Sequence, residues 1–262
     1  MNIYIMVDAE GISGIYDKPQ VLDTLPRYNE IRTLMTRDIN VCVEACKDAG
    51  AGKVFVRDAH GSGSNVIWEN LTSLADYYVI GNSGYIRWPG LDQCDAVILL
   101  GYHAMAGTRN AVLEHTMSSV SIQNYWINGE KAGEIALDAA IVGDQGKPVI
   151  MVSGDDKACA EAKAVLPWVI TAEVKKGLTA FGAMLLPPER AYALIREKTK
   201  EAIANFPNTK PYVLAKPVTL KVECTERTQI PNPKAKPYMK HIDGRTYEVT
   251  GDTMEEAWFR SF

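Results

Sequence analysis

The sequence predicts an α/β fold: a mixed, mostly parallel sheet flanked by helices on both faces, with a smaller C-terminal segment. Two patterns carry that expectation. Short apolar runs alternate with longer stretches of helical period, as strands joined by crossover helices do. From Pro207 the texture changes, and prolines at 207, 211, 217, 231, 233 and 237 separate only a few strand-like runs. We therefore expect an α/β metal-binding core over residues 1–206. Residues 207–262 are expected to pack on it as strands plus a terminal helix, with possible oligomer contacts. A chain of 262 residues suits that plan, because at this size about three quarters of the unfolded surface can be buried.

The elements follow in order. Ile3–Val7 is a short apolar run ended by Asp8, and reads as the first buried strand. A helix is predicted over 26–49, with Ile31, Leu34, Met35, Ile39 and Val43 at helical spacing and a stop at Gly50. Strands are expected at 53–56, 77–80 and 96–100. Residues 118–127 read as a strand feeding a hairpin, because Asn128-Gly129 is a strong two-residue turn signal. A helix over 134–142, a strand over 148–152 and a helix over 156–165 come next. Pro187-Pro188 opens a helix to about 205, and the tail holds strands at 218–222 and 246–250 before a helix at 253–260.

Bulk properties narrow the partners. A net charge of −4 with no dense basic run argues against nucleic acid. Nothing approaches the 18 uninterrupted apolar residues of a membrane span, and the N-terminus lacks the basic start of a signal peptide. The cysteines (42, 46, 94, 159 and 224) show no Cys-x-x-Cys or Cys–His zinc spacing, so small core residues in a reducing cytoplasm are expected.

Ligands of open α/β sheets bind beyond the carboxyl ends of the strands, so chemistry is expected at those ends. The first ends in Asp8-Ala9-Glu10-Gly11, where an extended chain would point both carboxylates to one side. The second ends in Arg57-Asp58-Ala59-His60-Gly61 and the fourth in Gly101-Tyr102-His103-Ala104. Glu134 follows the hairpin at a helix start, where a carboxylate is electrostatically favoured. Each residue alone has an ordinary reading as a cap or a satisfied loop side chain, and Asp58 in particular could orient a neighbour. Together, Asp8, Glu10, His60, His103 and Glu134 form a nitrogen and oxygen set suited to zinc, manganese or cobalt, and to two ions better than one. Asp8 is the natural bridge. His115 lies in a loop after Arg109 and could serve as nucleophile, general base or transition-state donor. His241 in the proline-rich tail reads as structural or exposed.

The blocks Asp8-Ala9-Glu10-Gly11-Ile12-Ser13-Gly14, Arg57-Asp58-Ala59-His60-Gly61, Gly101-Tyr102-His103-Ala104-Met105-Ala106-Gly107, His115-Thr116 and Gly133-Glu134 resemble, in this order, the D-aminopeptidase family. The likeness covers about residues 1–160 and continues more weakly through 153–156 and Val174-Lys175. It implies a self-compartmentalising metallopeptidase that removes N-terminal D-residues such as D-alanine from short peptides. It also implies a dinuclear zinc centre and a ring-stacked decamer. Asp8 would bridge the zincs, Glu10 and His103 would complete one site, His60 and Glu134 the other, and His115 would be the catalytic nucleophile or base. One departure is Asp138, where the family more usually carries Asn. The rival readings are a two-metal hydrolase acting on another amide or a phosphoester, and a binding protein with structural metals.

Overall fold

The structure, a computed structural model, describes residues 1–232 and 234–262. The strands are β1 (Ile3–Val7), β2 (Val54–Asp58), β3 (Tyr77–Val79), β4 (Ala96–Leu100), β5 (Ile122–Ile127), β6 (Glu130–Ala132), β7 (Val149–Asp155), β8 (Ile170–Thr179), β9 (Gly182–Leu185), β10 (Val218–Cys224), β11 (Lys240–His241) and β12 (Thr246–Gly251). The helices are α1 (Tyr28–Asp48), α2 (Glu134–Asp144), α3 (Asp156–Val165), α4 (Pro188–Ala204) and α5 (Met254–Arg260).

One sheet runs β3-β2-β1-β4-β7-β8-β9. It is parallel throughout except for β9, which returns antiparallel along β8. Because both faces are covered, β1 and β4 are buried at every position, which is why they read as unbroken apolar runs. Alternate residues of β1 serve different cores. Ile3, Ile5 and Val7 pack with α1 and α4, while Tyr4 and Met6 face the side that holds α2 and α3. Burying each such side chain stabilises the fold by about 1.5–3 kcal/mol. α1 joins its core through Ile31, Met35, Ile39, Cys42, Val43 and Cys46, a single stripe at spacings of three and four.

The second sheet is antiparallel, in the order β11-β12-β10-β5-β6. Its β5–β6 hairpin turns at Asn128 and Gly129, whose φ values of 50° and 92° give the two left-handed residues such a turn demands. β10 pairs Leu220 with Ile127, so tail strands after residue 207 complete a sheet begun by β5 and β6. The strand expected over 118–127 starts only at Ile122, because the preceding residues turn. The sequence reading passed over β8 and β9, whose residues are mixed in character and only partly buried. All five cysteines are buried and free. Among the described residues no helix is long and apolar enough to cross a membrane.

Candidate metal centre

Four of the five residues expected to hold metal, Asp8, Glu10, His60 and His103, follow three adjacent strands of the parallel sheet, and the fifth, Glu134, opens α2. β1 lies between β2 and β4, so Asp8, His60 and His103 leave neighbouring strand ends at the same edge. Close backbone approach makes this possible. A side chain on Gly11 would meet the Tyr102 carbonyl at 2.0 Å, and one on Gly101 would meet the Asp8 carbonyl at 2.5 Å. Gly101 also has φ +75°, a conformation that side-chain-bearing residues rarely adopt. The chain after Asp8 turns rather than running on extended, with Ile12 N–H donating to Ala9 O at 3.1 Å. Both carboxylates still reach the same imidazole, by the turn and not by strand alternation.

Each histidine has one ring nitrogen engaged by the backbone and the other aimed at carboxylates. His60 Nε2 lies 2.9 Å from Val21 O, and its Nδ1 stands 3.2 Å from Asp8 Oδ1 and 3.4 Å from Glu10 Oε2. His103 Nδ1 lies 3.0 Å from Ala104 O, and its Nε2 stands 3.3 Å from Asp8 Oδ2 and 3.2 Å from Glu134 Oε1. With one nitrogen donating to a carbonyl, a neutral ring turns the lone pair of the other toward carboxylate oxygens. Lone pairs facing lone pairs require a positive charge between them, either a proton or a metal ion. Glu10 Oε2 and His103 Nε2 are buried without a hydrogen-bond partner, which fits ligand atoms. Ligand atoms of Asp8, Glu10 and His103 lie within 4.8 Å of one another, as do those of His103, His115 and Glu134. This donor set fits zinc.

The electrostatics agree. Burial would raise the Asp8 pKa, but His103 and His60 outweigh it and hold the carboxyl well below its usual range. Glu134 is lowered likewise, its burial overcome chiefly by His103. Burial alone would depress both imidazoles, yet Glu10 and Asp8 raise His60, and Glu134 and Asp8 raise His103. Carboxylates that favour imidazolium protons this strongly also favour a cation in their place.

His115 stacks on His103 with ring centroids 4.1 Å apart and planes 13° from parallel. Its Nδ1 lies 2.9 Å from Leu113 O, leaving Nε2 3.7 Å from Glu134 Oε1. The loop that carries it holds Asn110, Leu113 and Met117 at φ 60°, 52° and 64°. That much left-handed backbone in non-glycine residues stores strain, as functional loops do. Tertiary contacts secure it: Leu113 N–H donates to Ala180 O, Val112 N–H to Asp155, and Met117 N–H to Glu134 Oε1 at 2.7 Å.

Asp58, from the same strand-end block as His60, stays out of the centre. Asp58 accepts from Asn65 N–H at 2.6 Å and Asn65 Nδ2 at 2.8 Å, closing the loop that carries His60. Arg109 is exposed, as is His241. The sequence reading missed two contributors. Arg87 lines the same cavity of about 230 Å³ as Asp8, Glu10, His60, His115 and Glu134. Lys175 on β8 donates to the carbonyls of Glu10, Ile12 and Ile15 at 2.6, 2.9 and 2.6 Å, fixing the turn that presents Glu10. The signal for the second was its place in Val174-Lys175, within the weaker part of the family resemblance, where no role was attached to it. Arg87 had none, since its loop carries no periodicity.

A family model described as D-aminopeptidase matches residues 1–261. A D-aminopeptidase of Bacillus subtilis (strain 168) is 35% identical over 212 residues, which is 80% of this chain and 77% of that one. The solved structure of the zinc-dependent D-aminopeptidase DppA from Bacillus subtilis, a self-compartmentalizing protease, superposes with a TM-score of 0.94 at 32% identity. It covers 99% of this chain and 95% of the other.

Proposed function

Because this chain belongs to the D-aminopeptidase family, we propose that it is a zinc-dependent aminopeptidase that hydrolyses the N-terminal amide bond of short peptides, D-residues included. Zinc dependence and peptidase activity are properties of the relative that superposes over nearly the whole chain. The observation that carries the reading is the mutual approach of three carboxylates and two imidazoles beside one cavity, with Glu10 Oε2 and His103 Nε2 buried and without hydrogen-bond partners.

We assign Asp8 to both of two zinc sites. Glu10, His60, His103 and Glu134 would complete the two sites, since His60 approaches Asp8 and Glu10 while His103 approaches Asp8 and Glu134, and the ligand atoms of Asp8, Glu10 and His103 also lie within 4.8 Å of one another. Zinc bound there would supply the charge that polarises a scissile carbonyl and acidifies a water. The side chains supply the rest. His115 Nδ1 is engaged by Leu113 O and its Nε2 is left to the cavity, so a neutral ring there would accept a proton and later return it to the leaving amine. Glu134 keeps its position through the Met117 N–H as well as its helix start. The test is release of free amino acid from D-Ala-D-Ala and L-Ala-L-Ala before and after chelation. Undiminished turnover by metal-stripped protein would remove the mechanism.

We also infer that the chain assembles into a closed oligomer, a decamer, with its centres facing an inner chamber. Supporting this are the self-compartmentalizing relative and the solvent-facing Tyr85 and Phe181, 88% and 60% exposed. Light scattering on the eluted protein would contradict it with a monomer mass. A cytoplasmic location, supported by the five buried free thiols, is tested by cell fractionation.

A further inference from the structure

Arg87 lines the metal cavity, yet the chemistry above gives it no task. Its Nε and Nη2 grip Asp138 at 2.5 and 2.8 Å, and the Tyr102 hydroxyl donates to the same carboxylate at 2.7 Å. The guanidinium lies over the Trp258 ring, 4.6 Å from its centroid. One edge and one face are therefore taken, and Nη1 has no hydrogen-bond acceptor among the described residues. A guanidinium held this rigidly and left with one free donor edge is built to meet an anion.

Charge and distance point the same way. Arg57 is close enough to feel Arg87, and its Nε and Nη1 are buried without partners. Arg87 is the one lysine or arginine among the described residues that line the cavity, so an anionic group of a ligand there has this guanidinium as its cationic partner. Asp138 stands one helical turn beyond Glu134 on α2, which places the pair about 5–6 Å apart along one face. In a dipeptide the carboxylate lies a single residue, at most about 3.6 Å, beyond the scissile bond. Arg87 is therefore within reach of that group when the bond sits against the metal ligands.

We propose that Arg87, oriented by Asp138 and Trp258, binds the C-terminal carboxylate of the substrate and makes this enzyme selective for dipeptides with a free acid end. This rests on the aminopeptidase reading. It is a specificity determinant, so its loss acts on KM more than on kcat. A charge-assisted hydrogen bond of this kind is worth about 10- to 100-fold in kcat/KM.

The zinc-loaded protein is assayed on D-Ala-D-Ala, its C-terminal amide and D-Ala-D-Ala-D-Ala. The expected result is a preference of about 10- to 100-fold for the free dipeptide, expressed in KM. Since Arg87→Met alone would leave Asp138 buried and unpaired, the variant combines it with Asp138→Asn, and the acid-over-amide ratio should fall toward one. A ratio near one in the unmodified protein, or a ratio preserved in the folded double variant, would overturn the proposal. Calorimetric binding of D-alanine against D-alaninamide gives a readout free of turnover, and tighter binding of the acid that vanishes in the double variant supports the subsite. If no peptide is cleaved while that binding difference persists, the aminopeptidase reading falls and the carboxylate subsite stands.

Discussion

The cage and the wall of the cavity are built by different parts of the fold. Asp8, Glu10, His60 and His103 sit on the ends of three adjacent parallel strands, buried from both faces. His115, Met117 and Arg87 come from loops, and Trp258 from the terminal helix beside the antiparallel sheet. β10 of that sheet alternates buried and half-buried positions, unlike β1 and β4. A doubly covered strand cannot slide or tilt without emptying two cores, so it fixes ligand positions closely. A loop held by a few hydrogen bonds can vary in shape and sequence at little cost to the fold. If zinc is held as proposed, metal chemistry rests on the rigid region and contact with the substrate falls to the loops.

Substitutions can break that division or sharpen it. The largest effect is expected at Asp8, the carboxylate shared by both imidazoles. Asp8→Ala should abolish zinc retention and cut kcat/KM by on the order of 10³-fold, at least as much as losing a principal electrostatic stabiliser. Retained zinc with normal turnover in mass spectrometry and kinetics would show the cage is elsewhere. His115→Ala should lower kcat by about 10²–10⁴-fold, the usual share of a proton-transfer group, while zinc content stays intact. Loss of zinc in that variant would move His115 from wall to cage.

Backbone packing comes next. Gly11→Ala places a methyl group against the Tyr102 carbonyl, and neither segment can retreat from the sheet. Stability should drop by roughly 1–3 kcal/mol or more, read as a lowered denaturant midpoint. The smallest effect concerns Asp38 of α1, which accepts Ser13 N–H at 2.9 Å just beyond the Glu10 turn. Burial pushes its pKa up to about 6 from the usual 3.8. The folded state thus holds a proton that the unfolded chain releases at lower pH. This stabilisation is complete below about 3.8 and is lost as pH rises through about 6. Asp38→Asn should accordingly gain about 1–2 kcal/mol relative to the parent on moving from pH 5 to pH 8. A difference that does not change with pH would mean that this carboxyl titrates normally.

How much of this was legible follows the same line between cage and wall. β1, β4 and α1 announce themselves through apolar runs and a stripe at three- and four-residue spacing, because burial imposes a local period on the chain. Their ends then point to Asp8, His60 and His103. β8 escaped notice because its residues are mixed in character, so Lys175, named only within the family resemblance, carried no role there although it fastens the Glu10 turn. The convergence of Asp8 and Glu10 was foreseen for the wrong local reason, an extended chain where there is a turn.

Local order of residue types was enough to determine the α/β class, the strand-end acids and imidazoles, and the Asn-Gly hairpin. Those features depend on near neighbours in the chain, which share one element and one pattern of burial. Only the tertiary structure decided which imidazole faces which carboxylate, that β10 completes the sheet of β5, and that Arg87 meets Asp138 across fifty-one residues. Such pairings follow from the lateral order of strands and the packing of layers, which leave no periodic trace in the sequence.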